Sequence, residues 1–195
     1  MEQETEQSKK EQVIQAAINL FSEQGYHQTT VLEISEAADV AKGTVYWYFD
    51  SKQKLFWGII VNGIDCLNQR IIEVVEQKDK SSLDKLKTII QLHLEFFKNS
   101  KEVTKMMQES SVSTSDYFHS EMEKLRDEAV KNIAEVIKAG QNKGKIKNNI
   151  DASELGNFML GALFGSYNPH VYELENVEEK SDMILNILLE GIIKK

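Results

Sequence analysis

Apolar side chains recur three and four positions apart along most of the chain, the spacing of one buried face of an α-helix. Val13, Ala16, Ala17, Leu20 and Phe21 mark a first helix from about Lys9 to Gln24, closed by Gly25 where a left-handed residue is needed. Thr30 followed by Glu33 forms a capping box, so a second helix starts at Val31. Leu32 or Ile34 turns inward on it, beside Ala37 and Ala38. Asp39 and Val40 form a turn in which Asp tolerates the left-handed region. A third helix covers about Lys42 to Phe49, with Val45 and Phe49 inward. Asp50 or Ser51 caps a long fourth helix, Lys52 to Glu76, built on Leu55, Phe56, Ile59, Ile60, Ile64, Leu67, Ile71 and Val75.

After a polar linker, QKDKSS, the helical spacing resumes from Leu83 to Asn99. A short helix near Glu102 to Glu109 leads into SSVSTSD, and Asp116 to Ala139 follows, broken by AGQNKGKI with its two glycines. Two final helices, Ala152 to about Tyr167 and about Val177 to Ile193, flank NPHVYELEN. Sustained strand alternation is missing, and the single proline leaves long helices uninterrupted. The pattern predicts an all-α chain of about nine helices. Residues 1–52 form an N-terminal tail and three-helix head, and residues 53–195 a second helical domain.

Composition narrows the possibilities. At 195 residues, 41% hydrophobic and 28% charged, the chain has enough apolar surface for a real core. The one cysteine, Cys66, excludes an internal disulfide, gives no metal-ligand cluster and sits in an apolar stretch, where a buried inert thiol is expected. The opening MEQETEQSKKEQ is too polar for a secretory signal, and no run approaches the ~18 apolar residues of a membrane span. A cytoplasmic location without a membrane partner follows by elimination. No G-x-S-x-G, glycine-rich phosphate loop, H-E-x-x-H or Cys/His cluster occurs, so neither an enzyme nor a bound metal or cofactor is expected.

The second and third helices carry the candidate chemistry. A helix-turn-helix needs a capped first helix, a sharp turn and a second helix projecting polar groups, and TTVLEISEAADVAKGTVYWYFDSK, Thr29 to Lys52, supplies all three. An ordinary three-helix packing unit would fit the spacing too. What separates them is the outer face of the third helix, where Lys42, Gly43, Thr44, Tyr46, Trp47 and Tyr48 cluster. Exposed aromatics in a row are unusual on an inert surface. Gly43 keeps the helix start slim, Thr44 can address a base edge, and the Tyr hydroxyls and Lys52 suit phosphates. Charge works against this reading: the chain carries −8 overall, and its first 55 residues hold nine Asp/Glu against five Lys. Modest non-specific affinity for nucleic acid is therefore expected.

At these residues the chain resembles the TetR family of transcriptional repressors. The family pattern F-x-x-x-G-[YF], T-T, I-A-x-x-A-G-V-S-x-G-T-[LV]-Y-x-[YH]-F-x-x-K runs here as FSEQGYHQTTVLEISEAADVAKGTVYWYFDSK, Phe21 to Lys52. The resemblance implies that Thr29, Thr30 and Val31 open the second helix against the DNA backbone. It also implies that Lys42, Gly43, Thr44 and Tyr46 to Tyr48 face the groove, and that Lys52 binds phosphate. Asp39 replaces the usual turn glycine and Ala41 the usual serine, a lost hydroxyl cap at a cost of about 1 kcal/mol.

In the remaining two-thirds the likeness is architectural. Gly161 and Gly165 lie four apart, with Leu155, Phe158, Met159 and Ala162 nearby, and Met183, Ile184, Ile187, Leu188 and Gly191 form a matching stripe on the last helix. Two copies of this pair predict a two-fold, four-helix homodimer interface. The family implies a small-molecule effector held in the helical domain. His93, Phe96, Phe97, Met106, Met107, Tyr117, Phe118, Met122, Phe158 and Tyr167 are its candidate lining, with His119, His170 and Glu109 as further polar groups. Such a lining suits a lipophilic molecule. The expected function is a ligand-responsive repressor on a palindromic operator in double-stranded DNA. The alternative is an all-helical ligand-binding or adaptor dimer without sequence-specific DNA binding.

Overall fold

The computed structural model describes residues 2–100, 116–166 and 176–192, with the side chains of residues 2–7, 116–118, 166 and 189–192 left aside. The described residues form eight helices: α1 (Glu2–Gln24), α2 (Val31–Ala37), α3 (Lys42–Tyr48), α4 (Lys52–Glu76), α5 (Ser82–Asn99), α6 (Asp116–Asn142), α7 (Ala152–Ser166) and α8 (Val177–Ile192). The all-α class expected from the spacing is what the structure shows. The helix expected near Glu102 to Glu109 lies outside the described residues.

Local chemistry sets the helix ends. Gly25 takes φ +85° and closes α1, and Asp39 takes φ +52° in the turn between α2 and α3. Ser51 Oγ accepts the Lys54 N–H at 3.1 Å, so Ser51 rather than Asp50 caps α4. Ser81, Asp151 and Asn176 cap α5, α7 and α8 in the same way. Two boundaries differ from the sequence reading. α1 reaches back to Glu2, because Glu, Gln and Lys propagate a helix without a buried face. α6 continues through Gly140 to Asn142. A Cβ on Gly140 would lie 2.6 Å from Ile146 Cδ1 and 3.2 Å from Ser82 Cβ, so this glycine serves close packing inside the helix. Gly144, at φ +67°, turns the chain away.

The described residues divide into two compact units, with the divisions falling within α4 after Gly63 and within α6 after His119. The first unit buries Val13, Ala16, Ala17, Phe21, Ile34, Ala38, Val45, Leu55 and Phe56. Phe56 from the first turns of α4 meets Phe21 edge-on at a centroid distance of 5.7 Å, and the Tyr26 ring lies 5.1 Å away. The compact unit therefore runs past Lys52.

In the second unit Leu67, Ile71, Leu86, Ile89, Ile90, Leu94, Ile133, Ile137, Leu155, Met159, Leu163 and Ile184 share one core. A buried hydrogen bond from Asn68 Nδ2 to the Leu125 carbonyl, 3.0 Å long, joins α4 to α6. Lys87 on α5 pairs with Asp182 on α8 at 2.5 Å. No helix among the described residues is long and apolar enough to cross a membrane. Cys66 is exposed, contrary to the buried thiol expected, because it falls on the outer side of α4 opposite Leu67 and Ile71.

Candidate nucleic-acid interface

The loop from Gly25 to Thr30 fixes where α2 begins. Thr29 is fully buried, and its hydroxyl donates to the Gly25 carbonyl at 2.8 Å. Thr30 and Glu33 complete the capping box: the Thr30 N–H donates to Glu33 Oε2 at 2.7 Å, and Thr30 Oγ1 accepts the Glu33 N–H at 3.2 Å. The backbone and hydroxyl hydrogen bonds from Thr30 hold the Glu33 carboxyl below its usual range. Along α2, Ile34 and Ser35 are buried with Ala38 just beyond. Ile34, four residues before Ala38, is thus the inward residue; Leu32 is 51% exposed and Ala37 also faces out.

The turn closes with the Val40 N–H on the Ser35 carbonyl at 3.0 Å. α3 starts at Ala41 without a side-chain cap, as the missing hydroxyl implies, and the Thr44 N–H donates to the Ala41 carbonyl at 2.8 Å. Val45 alone on α3 is buried. Phe49 is half-buried at the helix end, with its ring edge against Gly58.

What this leaves outward is a short polar and aromatic face. Lys42, Gly43, Tyr46 and Trp47 are exposed, Thr44 and Tyr48 half-buried, and Trp47 reaches 66% exposure. A Cβ on Gly43 would meet nothing within 4 Å, so the start of α3 can be approached by another molecule. The Lys42 ammonium lies 6.0 Å from the Tyr46 ring centroid, and the Trp47 and Tyr48 rings meet edge-to-face at 4.7 Å. Thr30 is exposed and Val31 half-buried at the start of α2.

Lys52 behaves differently from a surface cation. Its Nζ donates to the carbonyls of Tyr26 and Thr29, each at 2.7 Å, and lies 4.3 Å from the Tyr26 ring centroid. Burial pulls its pKa below the usual lysine value, opposed by the Glu33 carboxylate. Lys54 is paired with Asp50.

The expected effector lining falls in several places. His93 and Phe97 are buried, Phe96 and Met122 half-buried. His93 Nδ1 lies 2.9 Å from the Ile89 carbonyl, and since a carbonyl only accepts, Nδ1 carries a proton. Burial keeps its pKa below the usual histidine value. Phe158 is 64% exposed and so stands on the outside of the chain. His119 is exposed. Met106, Met107, Glu109, Tyr167, His170 and the side chains of Tyr117 and Phe118 lie outside the description.

The expected interface stripe on α7 and α8 also divides. Phe158, Gly161, Gly165, Met183 and Ile187 are exposed, whereas Leu155, Met159 and Ile184 are buried inside the chain and Ala162 and Leu188 half-buried. Phe164, absent from the sequence reading, joins the outer group. Its place three residues after Gly161 was the available signal.

Two family models match the chain: that of bacterial regulatory proteins of the tetR family over residues 13–57, and that of the tetracyclin repressor-like C-terminal domain over residues 79–168. The chain belongs to the TetR family of transcriptional regulators. As a member of that family it is not an enzyme. Among its relatives is the HTH-type transcriptional regulator HbdR of Aromatoleum sp., 39% identical over 36% of this chain and only 31% of that protein. The fatty acid metabolism regulator protein of Bacillus subtilis is 23% identical over 94% of this chain and 95% of its own length. The crystal structure of FadR from Bacillus subtilis with stearoyl-CoA superposes at a TM-score of 0.75, 22% identical, covering 93% of this chain and 98% of that one. This TetR-family chain therefore shares its fold with a regulator solved with an acyl-CoA bound.

Proposed function

We propose that this chain is a repressor with a DNA-reading head in residues 1–52 and an effector-binding and dimerising domain in residues 53–195. It binds a palindromic operator as a homodimer and is released by a lipophilic small molecule. The observation that carries the reading is the outer face of α3: Lys42, Gly43, Tyr46 and Trp47 are exposed beside half-buried Thr44 and Tyr48, on a helix whose one buried residue is Val45. A helix presented this way fits the major groove, with Thr44 and the aromatic groups toward base edges and Lys42 toward phosphate. Thr30 and Val31 approach the backbone, while the buried Thr29 and the internally bonded Lys52 support them from within.

Dimerisation through α7 and α8 is supported by Phe158, Phe164, Met183 and Ile187, large apolar groups exposed on the two helices. Monomers rarely leave such groups clustered in water. The similar Bacillus subtilis regulator solved with stearoyl-CoA draws the effector toward long-chain acyl chemistry, and the buried Phe97 beside half-buried Phe96 and Met122 suits an alkyl chain. The acidic balance of the head favours the competing reading, a dimer that no longer reads sequence. A gel shift at low salt with DNA from upstream of its own gene separates them. A sequence-dependent complex, released by an acyl-CoA, is expected; equal retention of scrambled DNA would leave only the competing reading.

A further inference from the structure

Lys52 carries a net charge that a DNA-binding head could use, yet its ammonium points inward. Two of its three N–H donors are taken by the carbonyls of Tyr26 and Thr29 at 2.7 Å, and the Tyr26 ring covers it at 4.3 Å. Those two carbonyls bracket the loop that ends α1 and delivers Thr30, the cap of α2. The Tyr26 ring is itself wedged between Phe21 of α1 and Phe56 of α4, at 5.6 and 5.1 Å. The loop is thus held from below by aromatic packing and closed from the side by a lysine at the start of α4. Since α3 follows α2 after a four-residue turn, Ala38 to Ala41, bonded to Ser35, the aim of α3 depends on where this loop sits.

We infer that Lys52 is a positioning residue, a clamp that ties the α1–α2 loop to the first turn of α4 and so sets the aim of the reading helix, and that it is not a phosphate contact. The inference rests on the DNA-binding reading above, and its test has an arm that does not. In the free protein, the Lys52 ammonium gives a slowly exchanging side-chain NMR signal with cross-peaks to the Tyr26 ring. A rapidly exchanging ammonium overturns the clamp whether or not the protein binds DNA.

The second arm uses a duplex selected by the full-length protein from a random library, alongside a scrambled duplex, each titrated at several salt concentrations. Lys52→Met is the variant, and Lys52→Gln, which keeps a donor without the charge, replaces it if Lys52→Met fails to fold. The clamp predicts that the ratio of selected to scrambled affinity drops by about tenfold or more. The salt slope stays that of the parent. A slope lower by about two across the dimer, one phosphate contact per head, overturns the inference whatever the ratio does. An unchanged ratio overturns it as well, since support of the fold alone lowers both affinities together.

Discussion

Side chains of the head divide between those that build it and those that face outward, and burial decides which is which. Thr29 and Thr30 are neighbours with opposite roles: one is fully buried on the Gly25 carbonyl, the other is an exposed cap. Trp47, at 66% exposure, contributes little to the core. Trp47→Ala should therefore leave the thermal midpoint within about 0.5 kcal/mol of the parent in free-energy terms. The same change should remove the preference for the selected duplex, read by fluorescence anisotropy. His93 gives a pH prediction. Its folded pKa is depressed by burial, so below the unfolded value of about 6.5 the unfolded chain takes up a proton that the folded chain refuses. Its contribution is full above that pH and is lost as pH falls toward the folded pKa. The urea midpoint should drop between pH 7.5 and 5.5, and His93→Gln should flatten that drop; an identical drop in the variant would assign it to other groups.

Helices whose ends carry a chemical signal were legible in the sequence. The Thr30–Glu33 box, Gly25 and Asp39 placed α2 and its turn correctly because capping and left-handed backbone are local matters. Gly140 was misread as a break, since its role depends on Ile146 and Ser82, which only the tertiary fold brings near. Filling that space in Gly140→Ala should cost about 1–3 kcal/mol, measured by chemical denaturation. The α7 stripe mixed two faces: Leu155 and Met159 serve the core of the chain while Phe158, Gly161 and Gly165 lie outside it. Periodicity marks an apolar side but cannot say which neighbour covers it. Gly161 has no atom near a prospective Cβ, so Gly161→Leu should not unfold the protomer but should crowd a second copy. Light scattering should then show monomer where the parent gives dimer, and a dimeric variant would move the interface elsewhere.

For the molecule as a whole, charge sets the terms of DNA binding. The net charge is −8, the first 55 residues are acidic, and the Lys52 and Lys54 ammonium groups already have partners inside the protein. Under the proposed function, phosphate attraction falls mainly to Lys42 and to Lys9 and Lys10, both exposed on α1. Under the same proposal, affinity comes from base contacts on α3 and from two heads acting together, so dimerisation is expected to be a condition of useful binding. The most direct measurement is anisotropy of the full-length protein on a selected duplex and on its scrambled counterpart across a salt series. The account predicts clear preference for the selected duplex with a log–log salt slope of no more than about 5.5, three lysines on each of two heads at about 0.9 per phosphate. Equal affinity for both duplexes at every salt concentration would contradict it.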